Sequence, residues 1–234
     1  MTKVWKLFLL LMAFGGLKAQ DGSYVEVRDF ETWTSAEFNL KLSKKLTLGL
    51  QQQIRLDNNS SELKNTFTQA SASYSLFKNF KLEYGLRYIA INDNSGNVQG
   101  YNYDFRHHFD LSYKHKLKPL RLNHRLRYTT RNEAGLSSEE GDMARQTLRY
   151  RMKIDYNIKK WKLDPILSGE LFNRFENGIN EGISDYRITF GTEYNLKKAG
   201  KIGIYYRYQK ELNTSYPMEI HLIRLKYSFT LKNY

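Results

Sequence analysis

From residue 46 to 56, Leu46, Leu48, Leu50, Ile54 and Leu56 fall on one side of an alternating pattern, and Thr47, Gly49, Gln51, Gln53 and Arg55 fall on the other. From 80 to 90, Phe80, Leu82, Tyr84, Leu86 and Tyr88 oppose Lys81, Glu83, Gly85 and Arg87. From 186 to 196, Tyr186, Ile188, Phe190, Thr192, Tyr194 and Leu196 oppose Arg187, Thr189, Gly191, Glu193 and Asn195. A period of two is the signature of β-strands, because successive side chains leave a pleated backbone on opposite faces. Each run holds its phase for about ten to thirteen residues, roughly double the usual strand of a soluble sheet.

The runs are joined by two kinds of link. Short basic turns recur at Lys41-Leu42-Ser43-Lys44-Lys45-Leu46, at Leu76 to Leu82, at Leu117 to Leu122, at Ile158 to Leu163 and at Leu196 to Ile202. Longer polar stretches lie between them, at Asp57 to Lys64, Asn92 to Gly100, Asn132 to Asp142, Glu176 to Ser184 and Asn213 to Met218. Short turns at one end and longer loops at the other describe repeated hairpins in an up-and-down barrel. Eleven runs begin near Phe30 and residues 46, 66, 80, 102, 120, 143, 162, 185, 201 and 219. A single-chain bacterial barrel usually has an even strand number. Either Ser23 to Arg28 adds a short strand or one run lies outside the wall. The expectation is therefore an all-β antiparallel transmembrane β-barrel of 10–12 strands, with twelve favoured.

Strand phases set from apolar residues alone place every arginine after Arg28 on the polar side. An arginine facing the bilayer centre costs about 2–4 kcal/mol, so such exclusion suits a barrel whose apolar side meets lipid. Aromatic residues gather near strand ends. Tyr74, Phe77, Phe80, Tyr113, Tyr156, Trp161, Tyr194 and Phe229 lie near the short turns, and Phe67, Tyr88, Tyr103, Tyr128, Phe175, Tyr186 and Tyr208 near the long loops. Two aromatic belts are what membrane interfaces select.

The start of the chain fits export. Lys3 and Lys6 precede the apolar run Leu7 to Gly16, and Leu17-Lys18-Ala19 offers a cleavage point before Gln20. That layout predicts a signal peptide over 1–19 and a barrel domain over 20–234. Loss of the three lysines in 1–19 lowers the formal net charge from +13 to +10. Such a charge would suit a nucleic-acid binder, but an exported chain meets none, so no nucleic-acid partner is expected. The absence of cysteine excludes a disulfide scaffold and a thiolate metal site.

Several motifs then resemble one known group. They are the opening Asp29-Phe30-Glu31-Thr32-Trp33, the repeated basic turns and Phe105-Arg106-His107-His108-Phe109. Leu126-Arg127-Tyr128, Leu148-Arg149-Tyr150-Arg151 and Gly191-Thr192-Glu193-Tyr194 complete the set. From about Asp29 to the C-terminus the chain resembles the exported bacterial family catalogued as domain of unknown function 2490. The resemblance implies an outer-membrane barrel with no assigned activity, and it carries over no active residues. The ending Tyr227 to Tyr234 is similar to the terminal strand read by barrel-assembly machinery, although Tyr234 is out of phase with Tyr227, Phe229 and Leu231.

The candidate chemistry is a basic cluster on the inward face, centred on Arg106, His108, Arg125, Arg127, Arg149 and Arg151. In the leading reading, acids such as Glu37, Glu83, Asp104, Asp110, Glu170 and Glu193 neutralise these arginines across a largely side-chain-filled lumen, in a non-catalytic, structural barrel. The alternative is a narrow, porin-like channel whose arginine lining prefers small anionic solutes. A barrel lipid hydrolase comes third, since Ser112 lies about 13 Å along the strand from His108 and no nucleophile elbow is present. No catalytic residue, cofactor or metal is expected. Asp57 to Glu62 and Asn92 to Asn94 lack the spacing of a calcium loop. The expected surroundings are outer-membrane lipids, and the expected partner during assembly is the barrel-assembly machinery.

Overall fold

In the computed structural model, residues 27–233 are described except Ser95, Val98, Asn177 and Gly178. The predicted signal peptide over 1–19, residues 23–26 of the proposed extra strand, and Tyr234 lie outside the described residues. Among those described, eleven strands form one closed barrel in chain order. They are β1 Val27–Lys41, β2 Leu46–Asp57, β3 Glu62–Phe77, β4 Phe80–Asp93, β5 Gly100–Leu117 and β6 Leu120–Glu133. The remainder are β7 Arg145–Tyr156, β8 Asp164–Glu176, β9 Ile179–Asn195, β10 Lys201–Glu211 and β11 Met218–Lys232.

The favoured count of twelve is corrected to eleven. Val27 and Arg28 do not belong to a separate strand; they open β1. β1 pairs directly with β11, in parallel and in unbroken register from Val27↔Met218 to Lys41↔Lys232. That contact leaves no gap for another strand. An odd number of up-and-down strands must close through one parallel pair, and all other neighbours are antiparallel. The described chain thus starts at the long-loop end and finishes at the short-turn end.

Strand lengths run from 11 residues in β10 to 18 in β5. A strand tilted by about 45° needs roughly 9–11 residues to cross a hydrocarbon layer, so every strand is long enough. The interior is polar. Among the described residues, the buried set holds twenty polar or charged side chains and only seven hydrophobic ones, while leucine, isoleucine, phenylalanine and tyrosine dominate the exposed large hydrophobics. A protein folded in water shows the reverse.

Several polar groups on the outer face are paired. Tyr84 with His107, Tyr150 with His124 and Tyr206 with His221 each share a hydrogen bond of 2.7 Å between neighbouring strands. Gln52, in the apolar phase of β2, bonds Thr66 at 3.0 Å and Thr68 at 2.5 Å.

One belt residue is misplaced by the sequence pattern. Phe67 points inward and is 2 % exposed. The outward positions of β3 are Thr66, Thr68, Ala70 and Ala72, so its apolar phase is weak and the aromatic belongs to the polar side.

Candidate functional site: an arginine-lined lumen

The inward residues of all eleven strands converge on a central cavity of about 420 Å³. Ten arginines and two lysines line it, against three glutamates, Glu37, Glu83 and Glu170. The strand registers explain the crowding. Arg87 stands directly opposite Arg106, Arg106 opposite Arg131, and Arg131 opposite Arg145, a row of four across β4 to β7. Arg125 faces Arg151, and Arg127 faces Arg149. Like charges directly opposite on a sheet repel.

The acids are already committed. Asp110 accepts both bonds of the Arg127 fork, at 2.6 and 2.7 Å, with Arg125 at 3.7 Å. Glu170 serves Arg125 at 2.9 Å, Arg187 at 3.2 Å and Arg151 at 3.9 Å. Glu37 holds Arg224 at 3.1 Å and Lys226 at 2.8 Å. Arg131 is paired with Asp104. Cross-wall neutralisation is therefore real but incomplete. Among the described residues, Arg55, Arg87, Arg106, Arg149 and Arg207 have no carboxylate within ion-pair distance. Arg87 bonds the Gln69 amide oxygen twice, at 3.0 and 2.6 Å. The Nε atoms of Arg55, Arg106, Arg149 and Arg207 are buried without a partner.

Aromatic rings hold several of these cations. Arg55 lies 3.9 Å over Trp33, Arg87 lies 3.5 Å over Phe67, and Arg149 lies 4.3 Å over Phe172. Desolvated stacking of this kind contributes about 2 kcal/mol each. It stabilises the face of the guanidinium and, at Arg55 and Arg149, leaves the in-plane Nε–H free.

The cavity is capped on one side. Moving toward the long loops, the next inward residues on eight strands are Glu31, Phe67, Ile89, Asp104, Thr129, Phe172, Asp185 and Leu222, all between 1 and 6 % exposed. Lys64 bonds Glu31 at 2.6 Å, and Trp33 Nε1 donates to the same carboxylate at 2.6 Å. On the other side the lumen widens into a second cavity of about 920 Å³ at the short turns. Lys81, Glu83, Arg125 and Arg151 border both spaces. Lys45, Lys78, Lys114, Lys116, Arg121, Lys153 and Lys201 surround the wide mouth. The lumen thus holds open space at its centre and toward the short turns, beside closely packed side chains on eight strands toward the long loops.

The sequence-predicted cluster divides. Arg106, Arg125, Arg127, Arg149 and Arg151 all line the central cavity. His108 is fully buried beside it, and neither ring nitrogen has a hydrogen-bond partner. Its ring occupies the space over Gly85, where a Cβ would sit 2.0 Å from His108 Cε1. Glu83 Oε1 is 3.6 Å from His108 Nε2. Glu83, His108 and Asp110 bring ligand atoms within 4.8 Å of one another, close enough to share a divalent cation. Asp110, however, already neutralises Arg127, and a second cation beside Arg125 and Arg127 would be repelled. Ser112 is buried four residues along β5 from His108, and about 13 Å of strand separates them.

Parity in the sequence revealed the arginine face. It did not reveal Arg55, Arg87 and Arg207 as members of the same layer, nor Trp33, Phe67 and Phe172 as their supports.

The family model described as "Protein of unknown function (DUF2490)" matches residues 30–217. The chain belongs to this family. Nothing among curated proteins matches it. A solved structure, the β domain of the Bordetella autotransporter BrkA, is similar at 11 % identity and a TM-score of 0.46, covering 79 % of this chain and 81 % of that one. The family description names no activity, so the reading of the site rests on its own geometry.

Proposed function

We propose that this family member is a non-catalytic barrel of the bacterial outer membrane whose lumen is an anion-binding cup. The cup opens toward the short turns, the periplasmic side of such barrels, and is capped toward the long loops. Support for a lipid setting comes from the inverted burial, the strand lengths and the paired histidines of the outer face. Irregular or unpaired polar groups are not tolerated against hydrocarbon, and a closed barrel satisfies its backbone internally.

The observation that carries the anion reading is the set of five arginines without a carboxylate partner, drawn from β2, β4, β5, β7 and β10, around one cavity. A buried charge costs several kcal/mol unless it is paired. Mobile anions from the wide mouth supply the missing partner. The packed cap argues against an open through-channel, so uptake and retention are favoured over free conduction.

Trp33 reports on this space, because it lines the central cavity and is 8 % exposed, while Trp161 is an exposed turn residue at 59 %. In a Trp5→Phe/Trp161→Phe variant, Trp33 is the remaining tryptophan. Iodide is expected to quench its fluorescence several-fold more strongly than caesium. Equal quenching by the two ions, or protection from both, overturns the proposal.

A further inference from the structure

We infer that the arginine layer is built for a polyvalent, phosphate-type oxyanion, a soluble di- or triphosphate, and not for halide. The inference rests on the anion-cup reading and deepens it by naming the ligand class.

Three features lead there. The first is charge density. Twelve cationic side chains against three glutamates border a cavity of about 420 Å³. A monovalent ion leaves that excess nearly intact, whereas a compact ligand with three or more charges meets several guanidinium groups at once. The second is donor geometry. Both lysines of the central cavity are paired, Lys81 with Glu83 and Lys226 with Glu37, so its partnerless cations are arginines. Arg55, Arg106, Arg149 and Arg207 each keep a buried Nε–H free, and the faces of Arg55 and Arg149 are occupied by Trp33 and Phe172. The planar edge of arginine presents two parallel N–H bonds that match neighbouring oxygens of a phosphate group, while a lysine offers a point charge. The third is an orphan neutral donor. Gln53 lines the same cavity, is 3 % exposed, and its Nε2 has no partner. A halide or a phosphate oxygen satisfies it equally, and an oxyanion with several oxygens can bond it and neighbouring arginines at once.

The ligand enters in solution. The layer lies inside the barrel, behind a mouth ringed by lysines, so a lipid headgroup held at the membrane surface does not reach it. The lysines raise the local anion concentration, as a charged cleft does for a small ligand.

The test is calorimetric titration of the full chain in detergent at fixed ionic strength, with tripolyphosphate, pyrophosphate, orthophosphate, citrate and chloride as the probes. The expected order is tripolyphosphate, then pyrophosphate, then orthophosphate, with the first about 100-fold tighter than the third. Citrate, of similar charge but carboxylate geometry, is expected to bind more weakly than pyrophosphate. Arg55→Lys and Arg106→Lys retain the charge and remove the fork. Each is expected to weaken tripolyphosphate about 10-fold while iodide still quenches Trp33. Heat-dependent migration on gels checks that each variant is folded. If the lysine forms bind as tightly as the native chain, or if tripolyphosphate is no tighter than orthophosphate, the phosphate assignment fails. When iodide quenching survives that failure, the anion cup stands; when it is lost as well, both readings fall.

Discussion

Removing Arg106 and removing Arg127 should have opposite effects on stability, although the two side chains lie on adjacent strands and line the same cavity. Arg127 makes a fork with Asp110, and Asp110 is 4 % exposed. Arg127→Met leaves that carboxylate buried with Arg125 at 3.7 Å as its remaining ion-pair partner. Breaking a buried pair by removing one member costs about 3–5 kcal/mol. Arg106 has no acid partner and stands directly between Arg87 and Arg131. Two guanidinium charges ~7 Å apart at an effective dielectric of ~20 repel by about 2 kcal/mol. Arg131 is paired with Asp104, but Arg87, Arg127 and Arg55 also repel Arg106, so its removal relieves more than one contact. Arg106→Met should therefore raise stability by about 1–2 kcal/mol, after some loss of side-chain packing. The assay is equilibrium urea unfolding of refolded barrels in detergent, in a buffer of low anion content. Addition of tripolyphosphate should stabilise the native chain more than Arg106→Met and narrow the gap between them. Equal destabilisation by the two substitutions would refute the view that Arg106 is uncompensated.

Three further outcomes follow from single contacts. Gly85→Ala drives a methyl group into the His108 ring and should cost about 1–3 kcal/mol, while the pair Gly85→Ala/His108→Ala recovers most of that loss in the same unfolding assay. Phe67→Ala and Phe172→Ala each remove a wedge from the cap; the native barrel should show no steady conductance in a planar bilayer, and the double variant should conduct with anion preference. In the loop after β6, the Asp142 carboxyl is held below its ordinary value near 3.8, first by the Asn132 side chain and then by the Glu133 backbone N–H. Its contribution is present in full above that ordinary value and is lost as the pH falls through the lower folded value. Proteolysis of residues 134–144 should be independent of pH from 5 to 8 and accelerate only in strong acid, and Asp142→Ala should remove the difference.

Much of the architecture was legible because it is local. Alternation along 46–56, 80–90 and 186–196 fixes which side chains share a face, and the short basic turns fix which strands are neighbours. The same parity assigns Arg106, Arg125, Arg127, Arg149 and Arg151 to the interior. Phe67 escaped because small residues at 66, 68, 70 and 72 blur the phase of β3, so aromatic character and inward position conflict. The strand number escaped for another reason. Closure between β1 and β11 joins residues about 190 apart, and no local pattern reports whether that seam is parallel. Neutralisation was equally hidden. Parity gives the face of an arginine but not its height, and whether Arg149 meets an acid or the Phe172 ring depends on the stagger of β7 against β8. His108 shows the limit in the other direction. Its inward position was legible, but its slot over Gly85 depends on the pairing Gly85↔His108 between β4 and β5.

Crystals of the full chain soaked in bromide and measured at the bromine absorption edge would place anions by their own scattering. Ordered bromide among Arg55, Arg106, Arg149 and Arg207 is the expected result, at higher occupancy than at the lysines of the mouth. Bromide ordered elsewhere on the molecule while that layer holds none, or carboxylates found paired with these four arginines, would contradict an interior that depends on anions from outside.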